Sequence, residues 1–204
     1  MDARPITLDV NDIHALQNKR KSVLHLPFEL SPRTQYSSGE LLWVREAAFI
    51  SGTHFADQAH ATHADGRVIG YQASMNSDSM GLAQDYGVKR TPAMKMPRFA
   101  SRFTLAIEAV SIISLDQITE REARLTGVWF DGLHYRGGRH PVRGTLNRHA
   151  NALDAFRDEW SSMHINTDYS MHRNPRILRL AFTPIYQNID EYLAEIEADV
   201  SPAL

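Results

Sequence analysis

The stretch MKMPRFASRFTL, Met94 to Leu105, sets Lys95, Arg98 and Arg102 where a proline-marked turn becomes an alternating strand. A guanidinium offers a planar fork to phosphate or carboxylate and a flat face to a nucleobase. Three cations at one turn therefore ask for an anionic partner. That partner is either a ligand phosphate or a protein carboxylate, with Glu46 and Glu108 as the internal candidates. A second basic run, NKRKS, contains Arg20 and Lys21 just past an expected helix end, where cations are also favoured by the helix dipole. Trp43 and Phe99 are aromatics able to stack a base, or to fill the core. In LWVRE, Arg45 and Glu46 are strand neighbours and so face opposite ways. Whichever points inward needs a counter-ion, and Glu46 with Arg102 or Arg20 is the expected pair.

Other chemistry-bearing patterns are weaker. THFADQAHATHADGR gathers His54, His60 and His63 with Asp57 and Asp65, but its composition is that of a loop and no metal site is expected. HYRGGRHPVRGTLNRH carries Arg136, Arg139, Arg143 and Arg148 in a glycine-rich setting suited either to phosphate contacts or to a solvated insertion. No P-loop, dinucleotide fingerprint or Ser-His-Asp order is present. No cofactor is expected, and no catalytic set can be named from the residues.

The 204 residues carry a net charge of −2, which argues against a globally basic nucleic-acid binder. The positive charge is nonetheless skewed: four lysines leave 22 − 4 = 18 arginines. The tail NIDEYLAEIEADVSPAL is acidic, so the preceding body is net positive. There are no cysteines, which excludes disulfides, thiolate metal sites and a Cys nucleophile, and fits a cytoplasmic location. No apolar run reaches the ~20 residues of a membrane span, and no signal peptide is evident.

Hydrophobic periodicity predicts a strand in RPITLDV and a helix over NDIHALQNKRK capped by Asn11. SVLHLPFEL is expected to be extended, and ELLWVREAAFI to form one strand. Residues 51–93 read as an insertion with one strand, GRVIGYQA, and a long surface loop. SRFTLAIEAVSIISL is a long strand, with Phe103, Leu105, Ile107 and Ala109 on one face and an apparent phase slip, hence a bulge, before Val110 and Ile112. Thr119 and Glu122 form a capping box, and Gly127 a helix stop. A second insertion spans 129–148. NALDAFRDEWSSMH is an amphipathic helix with Leu153, Phe156 and Trp160 inward, and NPRILRLAFTPI the last strand. The final helix carries a stripe of Ile189, Tyr192, Leu193 and Ile196. The expected class is α+β, a small mixed β-barrel with packed helices over 1–184 and an acidic C-terminal helical extension over 185–204.

RPITLDVNDIHALQNKRKS, GELLWVREAAF, MPRFASRFTLAIEAVSIISLDQITEREARLTGV and ALDAFRDEWSSMH followed by NPRILRLAF resemble, in order, segments of phage and prophage ASCH-domain proteins. Shared features include a G-D-x-L-W-V-R-E strand and an MPRWASR turn. The resemblance spans roughly residues 4 to 183. It implies a PUA-like fold and a groove beside NKRKS and the Met94–Leu105 turn. The groove set is then Arg20, Lys21, Trp43, Lys95, Arg98 and Arg102, and the expected partner is RNA or single-stranded DNA. Some small ASCH proteins deacylate acetylcytidine, and ribonuclease activity is proposed for others, through Gly-x-Lys-x-x-Thr and a later Glu. Those positions align with Asn18, Arg20, Val23 and Thr126, and all four depart from the pattern. Arginine is no base at a pKa above about 12, and valine is no nucleophile. A hydrolase with a rearranged site, using Lys21 or Lys95 with Glu46, stays an alternative. So does a phage-encoded interaction factor whose C-terminal helix docks on a host protein or a second copy.

Overall fold

The computed structural model describes residues 3–28, 35–51, 67–137 and 148–200. Among them the chain is mixed α+β, with five α-helices and three sheets. It divides into two compact units. The first comprises Met1–Ile13, Glu40–Ala106 and Pro184–Leu204, and the second His14–Gly39 and Ile107–Thr183.

In the first unit, β1 (Ala3–Thr7) runs parallel to β3 (Leu41–Arg45), with Ala3 opposite Leu41 and Thr7 opposite Arg45. β3 pairs antiparallel with the start of β7 (Thr104–Ser114). β3 has buried residues on both faces, as a continuous apolar run predicts. The expected single strand over ELLWVREAAFI is instead two. The chain leaves β3 at Glu46 and re-forms as β4 (Ala48–Ser51), central in a separate sheet between β5 (Arg67–Tyr71) and β6 (Lys89–Thr91).

The stretch read as a long loop holds α2 (Ser77–Asp85), capped by Asn76, whose side-chain oxygen accepts from the Ser79 N–H at 2.8 Å. α2 buries only Ala83, so its hydrophobic periodicity is faint. α1 (Val10–Gln17) is capped by Asp9 rather than Asn11: the Asp9 carboxylate accepts from the backbone N–H groups of Asn11 and Asp12, each at 2.9 Å. α5 (Ile189–Val200) packs within this unit, as Ile189, Tyr192 and Leu193 cover Leu41 and Trp43. Asn188 precedes it and donates to the carbonyls of Arg98, Phe99 and Ser101 at 3.1, 3.2 and 2.8 Å, which fastens the basic turn to the helix start.

In the second unit, the rest of β7 neighbours β10 (Arg176–Ile185), and β10 pairs antiparallel with β2 (Val23–Pro27) from Ile177–Pro27 to Ala181–Val23. α3 (Glu120–Leu125) and α4 (Ala152–Met163) pack together, and Phe156 and Trp160 join Ile118, Ala123, Val128 and Ile177 in the core. A two-stranded hairpin joins β8 (Trp129–Phe130) to β9 (Tyr135–Arg136).

One expectation is corrected here. The described strands do not close into a barrel: β1 has only β3 beside it and β2 only β10. Closure requires the first and last strands to bond. Along β7, Leu105 and Ile107 are buried, Ala109 and Ile112 are exposed, and Ile113 packs on the second unit's core. A register irregularity lies in the β4–β5 ladder, between Phe49 and Ile50.

Candidate functional site

The first unit explains the arginines of the Met94–Leu105 turn. Glu46, 2% exposed, receives both arms of the Arg102 fork, Nε to Oε1 at 2.6 Å and Nη2 to Oε2 at 2.9 Å. Nη1 of Arg102 donates to the Ser74 hydroxyl at 2.9 Å, and its guanidinium lies 4.0 Å from the centre of the Tyr71 ring. Arg102 is thus the counter-ion that a buried Glu46 demands. Arg98 pairs with Asp190 at 2.6 Å, a partner in the acidic tail that sequence reading did not connect to the turn. Phe99 packs beside Ala48, Ile50 and Met96. Trp43 is 5% exposed and carries the Arg45 guanidinium over its ring at 4.6 Å. Lys95 is exposed.

Arg20 and Lys21 belong to the second unit, where Lys21 is buried and its ammonium donates to the Thr126 carbonyl at 2.5 Å. That contact sets Lys21, the neighbour of the aligned Arg20, against Thr126, one of the four aligned positions. Thr126 spends its hydroxyl on the Ala123 carbonyl. Lys21 shares its surroundings with His25, Glu122 and Arg179. Glu122 on α3 accepts from His25 Nε2 at 2.9 Å and from Arg179 Nε at 2.5 Å. The expected capping box is therefore only half formed: Thr119 caps the Glu122 N–H, while the Glu122 carboxylate turns inward.

Burial holds the His25 imidazole below its ordinary value, and the nearby Lys21 and Arg179 charges act the same way, against the pull of Glu122. The neutral ring keeps its proton on Nε2, toward Glu122, and Nδ1 has no hydrogen-bond partner among the described residues. Protonation would put an N–H there with no acceptor. The hydrogen bond from His25, then that from Arg179, lowers the Glu122 pKa. Folded protein therefore binds fewer protons at His25 than the unfolded chain once pH falls below about 6.5, so acid favours unfolding in that range. Urea midpoints at pH 7.5 and 5.5 are expected to fall with acid, and His25→Gln to shrink the difference. An unchanged difference would remove His25 as its source.

The third arrangement is the most accessible. Trp129 is 37% and Phe130 54% exposed on the β8–β9 hairpin, and Leu133 at its tip is 74% exposed. Arg20 sits 5.4 Å from the Trp129 ring centre and Arg136 5.9 Å. Arg136 is held by Asp131, whose carboxylate is kept well below its usual range by the His134 and Leu133 N–H groups and then Arg136. Arg20 makes no ion pair among the described residues; its guanidinium has the Trp129 ring as neighbour. Sequence reading singled out the arginines of this region but not the exposed Trp129 and Phe130. An aromatic pair two residues after a helix-stopping glycine, followed by Asp-Gly, was the available hairpin signal.

Other residues weighed in the sequence fall outside the described set. His54, Asp57, His60, His63 and Asp65 do so, as do Arg139 and Arg143. Among the described residues no group of three or more His, Asp or Glu side chains is placed to hold a metal ion, and no helix is long and apolar enough to cross a membrane. No protein-family model, curated protein or solved structure matches the chain.

Proposed function

We propose that this chain is a nucleic-acid-binding module that engages RNA or single-stranded DNA. The observation that carries the reading is the exposed Trp129 ring with Arg20 and Arg136 beside it. Single strands are held by a base stacked on an aromatic and by cations along the backbone, with little regard to sequence. Trp129 supplies the platform, Phe130 extends it, and the arginine-rich segment that follows supplies more positive charge. This moves stacking from Trp43 to Trp129, since Trp43 is in the core. It also leaves Arg98 and Arg102 to their carboxylates, with Lys95 a secondary phosphate contact. The ordered sequence resemblance supports an ASCH-type, PUA-like module of phage or prophage origin that works in the cytoplasm.

Trp43 and Trp160 are buried, so Trp129 dominates any ligand-dependent change in fluorescence. Titration with an oligonucleotide is expected to quench it. Trp129→Ala should weaken binding about tenfold or more, and Arg20→Ala should reduce the salt slope by roughly 0.7. Absence of any salt-dependent binding would defeat the reading.

The hydrolase alternative draws on Lys21, whose charge acts on His25 beside Glu122. Its ammonium is committed to the Thr126 carbonyl, and Val23 supplies no nucleophile. The expected outcome with acetylcytidine is no deacylation by liquid chromatography. Turnover abolished by Lys21→Ala would establish the hydrolase instead.

A further inference from the structure

A cavity of about 230 Å³ opens in the first unit at the start of α1. Leu8, Val10, Ile13 and Ala93 supply its apolar wall. Its polar groups come chiefly from Glu46, Gln72 and Arg90, with Asp9 at the helix cap. The nucleic-acid reading uses none of these residues.

The charges select against ions of either sign. Carboxylates at Glu46 and Asp9 repel an anion, while Arg90, and Arg102 against Glu46, repel a cation. A neutral ligand remains. Its hydrogen bonds are constrained as well. Each carboxylate oxygen of Glu46 takes one bond from Arg102 and keeps further acceptor capacity. Gln72 accepts from Arg90 Nε at 2.8 Å through Oε1, and its NH₂ has no partner among the described residues. Because Arg90 fixes the amide orientation, Gln72 presents a donor. Glu46 as acceptor and Gln72 as donor therefore stand, with Arg90 and Asp9, within apolar walls, in a volume suited to a single ring system.

We propose that this cavity binds a neutral flat heterocycle with an amino N–H beside a ring-nitrogen acceptor, the edge that adenine and cytosine present. The amino group donates to Glu46 and the ring nitrogen accepts from Gln72. A free nucleoside and an unstacked base in a strand carry the same edge, and the inference does not depend on the Trp129 platform.

Calorimetric titration of the full chain with adenosine and with cytidine tests it, with N6,N6-dimethyladenosine as the ring lacking the amino donor. Saturable binding of both nucleosides is expected, with the dimethyl analogue about tenfold weaker or worse. Ala93→Leu fills the cavity and Gln72→Leu removes the donor; each is expected to lose nucleoside binding while melting like the parent. Trp129→Ala is expected to keep it, which separates this site from the strand-binding surface. In that variant, competition by a short adenine- or cytosine-bearing oligonucleotide identifies a base delivered on a strand, and lack of competition a free nucleoside. No saturable nucleoside binding, equal affinity for the dimethyl analogue, or binding untouched by both cavity variants in folded protein would overturn the proposal.

Discussion

Arg102→Ala is expected to lower unfolding free energy by about 3–5 kcal/mol, because it strands the Glu46 carboxylate in the interior without its counter-ion. Glu46 is 2% exposed, and both its oxygens bond to Arg102. The variant also frees the Ser74 hydroxyl and uncovers the Tyr71 ring. The loss belongs to the orphaned charge and not to a missing surface contact. The double variant Glu46→Met/Arg102→Met should therefore regain most of the stability, since a buried ion pair exchanged for apolar side chains of similar size is often neutral. Denaturant unfolding of wild type, single and double variants forms the test. If the double variant were as unstable as Arg102→Ala, the pair would contribute through its own attraction, and the explanation by an unpaired charge would fall. Arg98→Ala should differ sharply. Its bond to Asp190 joins two side chains that are each more than a third exposed, so about 0–1 kcal/mol is at stake.

Glu122→Leu is expected to be the second most damaging change, at about 3 kcal/mol. Glu122 is the carboxylate bonded to both His25 and Arg179, and Lys21 is close enough to oppose charge on His25. Without it, two cations share a largely buried region with no anion. Glu122→Gln should cost less, because the amide oxygen still accepts one of the two hydrogen bonds. His25 would lose the one group that favours its protonated form, so its pKa should fall further, as histidine proton chemical shifts can report. Were Glu122→Leu as stable as wild type, the cluster would behave as a solvated surface group and the explanation by unpaired cations would fall.

Much of the element map was legible because it rests on local rules. The α4 stripe of Phe156 and Trp160 and the α5 stripe of Ile189, Tyr192 and Leu193 bury as their helical spacing predicts. Gly127 takes φ +112° where the sequence marks a helix stop. The requirement that Glu46 find an arginine also follows from the chain alone, since a strand neighbour of Arg45 pointing inward cannot stay unpaired. Tertiary structure decided what spacing does not encode. Which arginine answers Glu46 depends on how the 98–102 turn is fastened by Asn188 to α5, from a segment about 90 residues away. That same packing gives Arg98 an acidic partner.

Trp43 and Trp129 are equally plausible stacking residues as letters in a sequence. Trp43 is covered because α5 closes over β3, whereas Trp129 stands on a two-stranded hairpin with its side chain partly exposed. Strand closure likewise escaped the sequence. Alternation shows which residues face a core but not which strands are hydrogen-bonded neighbours, and pairing is set by contacts distant along the chain. The sequence by itself determined the α+β class, the main helices and the existence of a buried ion pair. The tertiary structure alone decided which cations are spent on internal carboxylates, as Arg102 and Arg98 are, and which lie beside an exposed ring, as Arg20 does at Trp129.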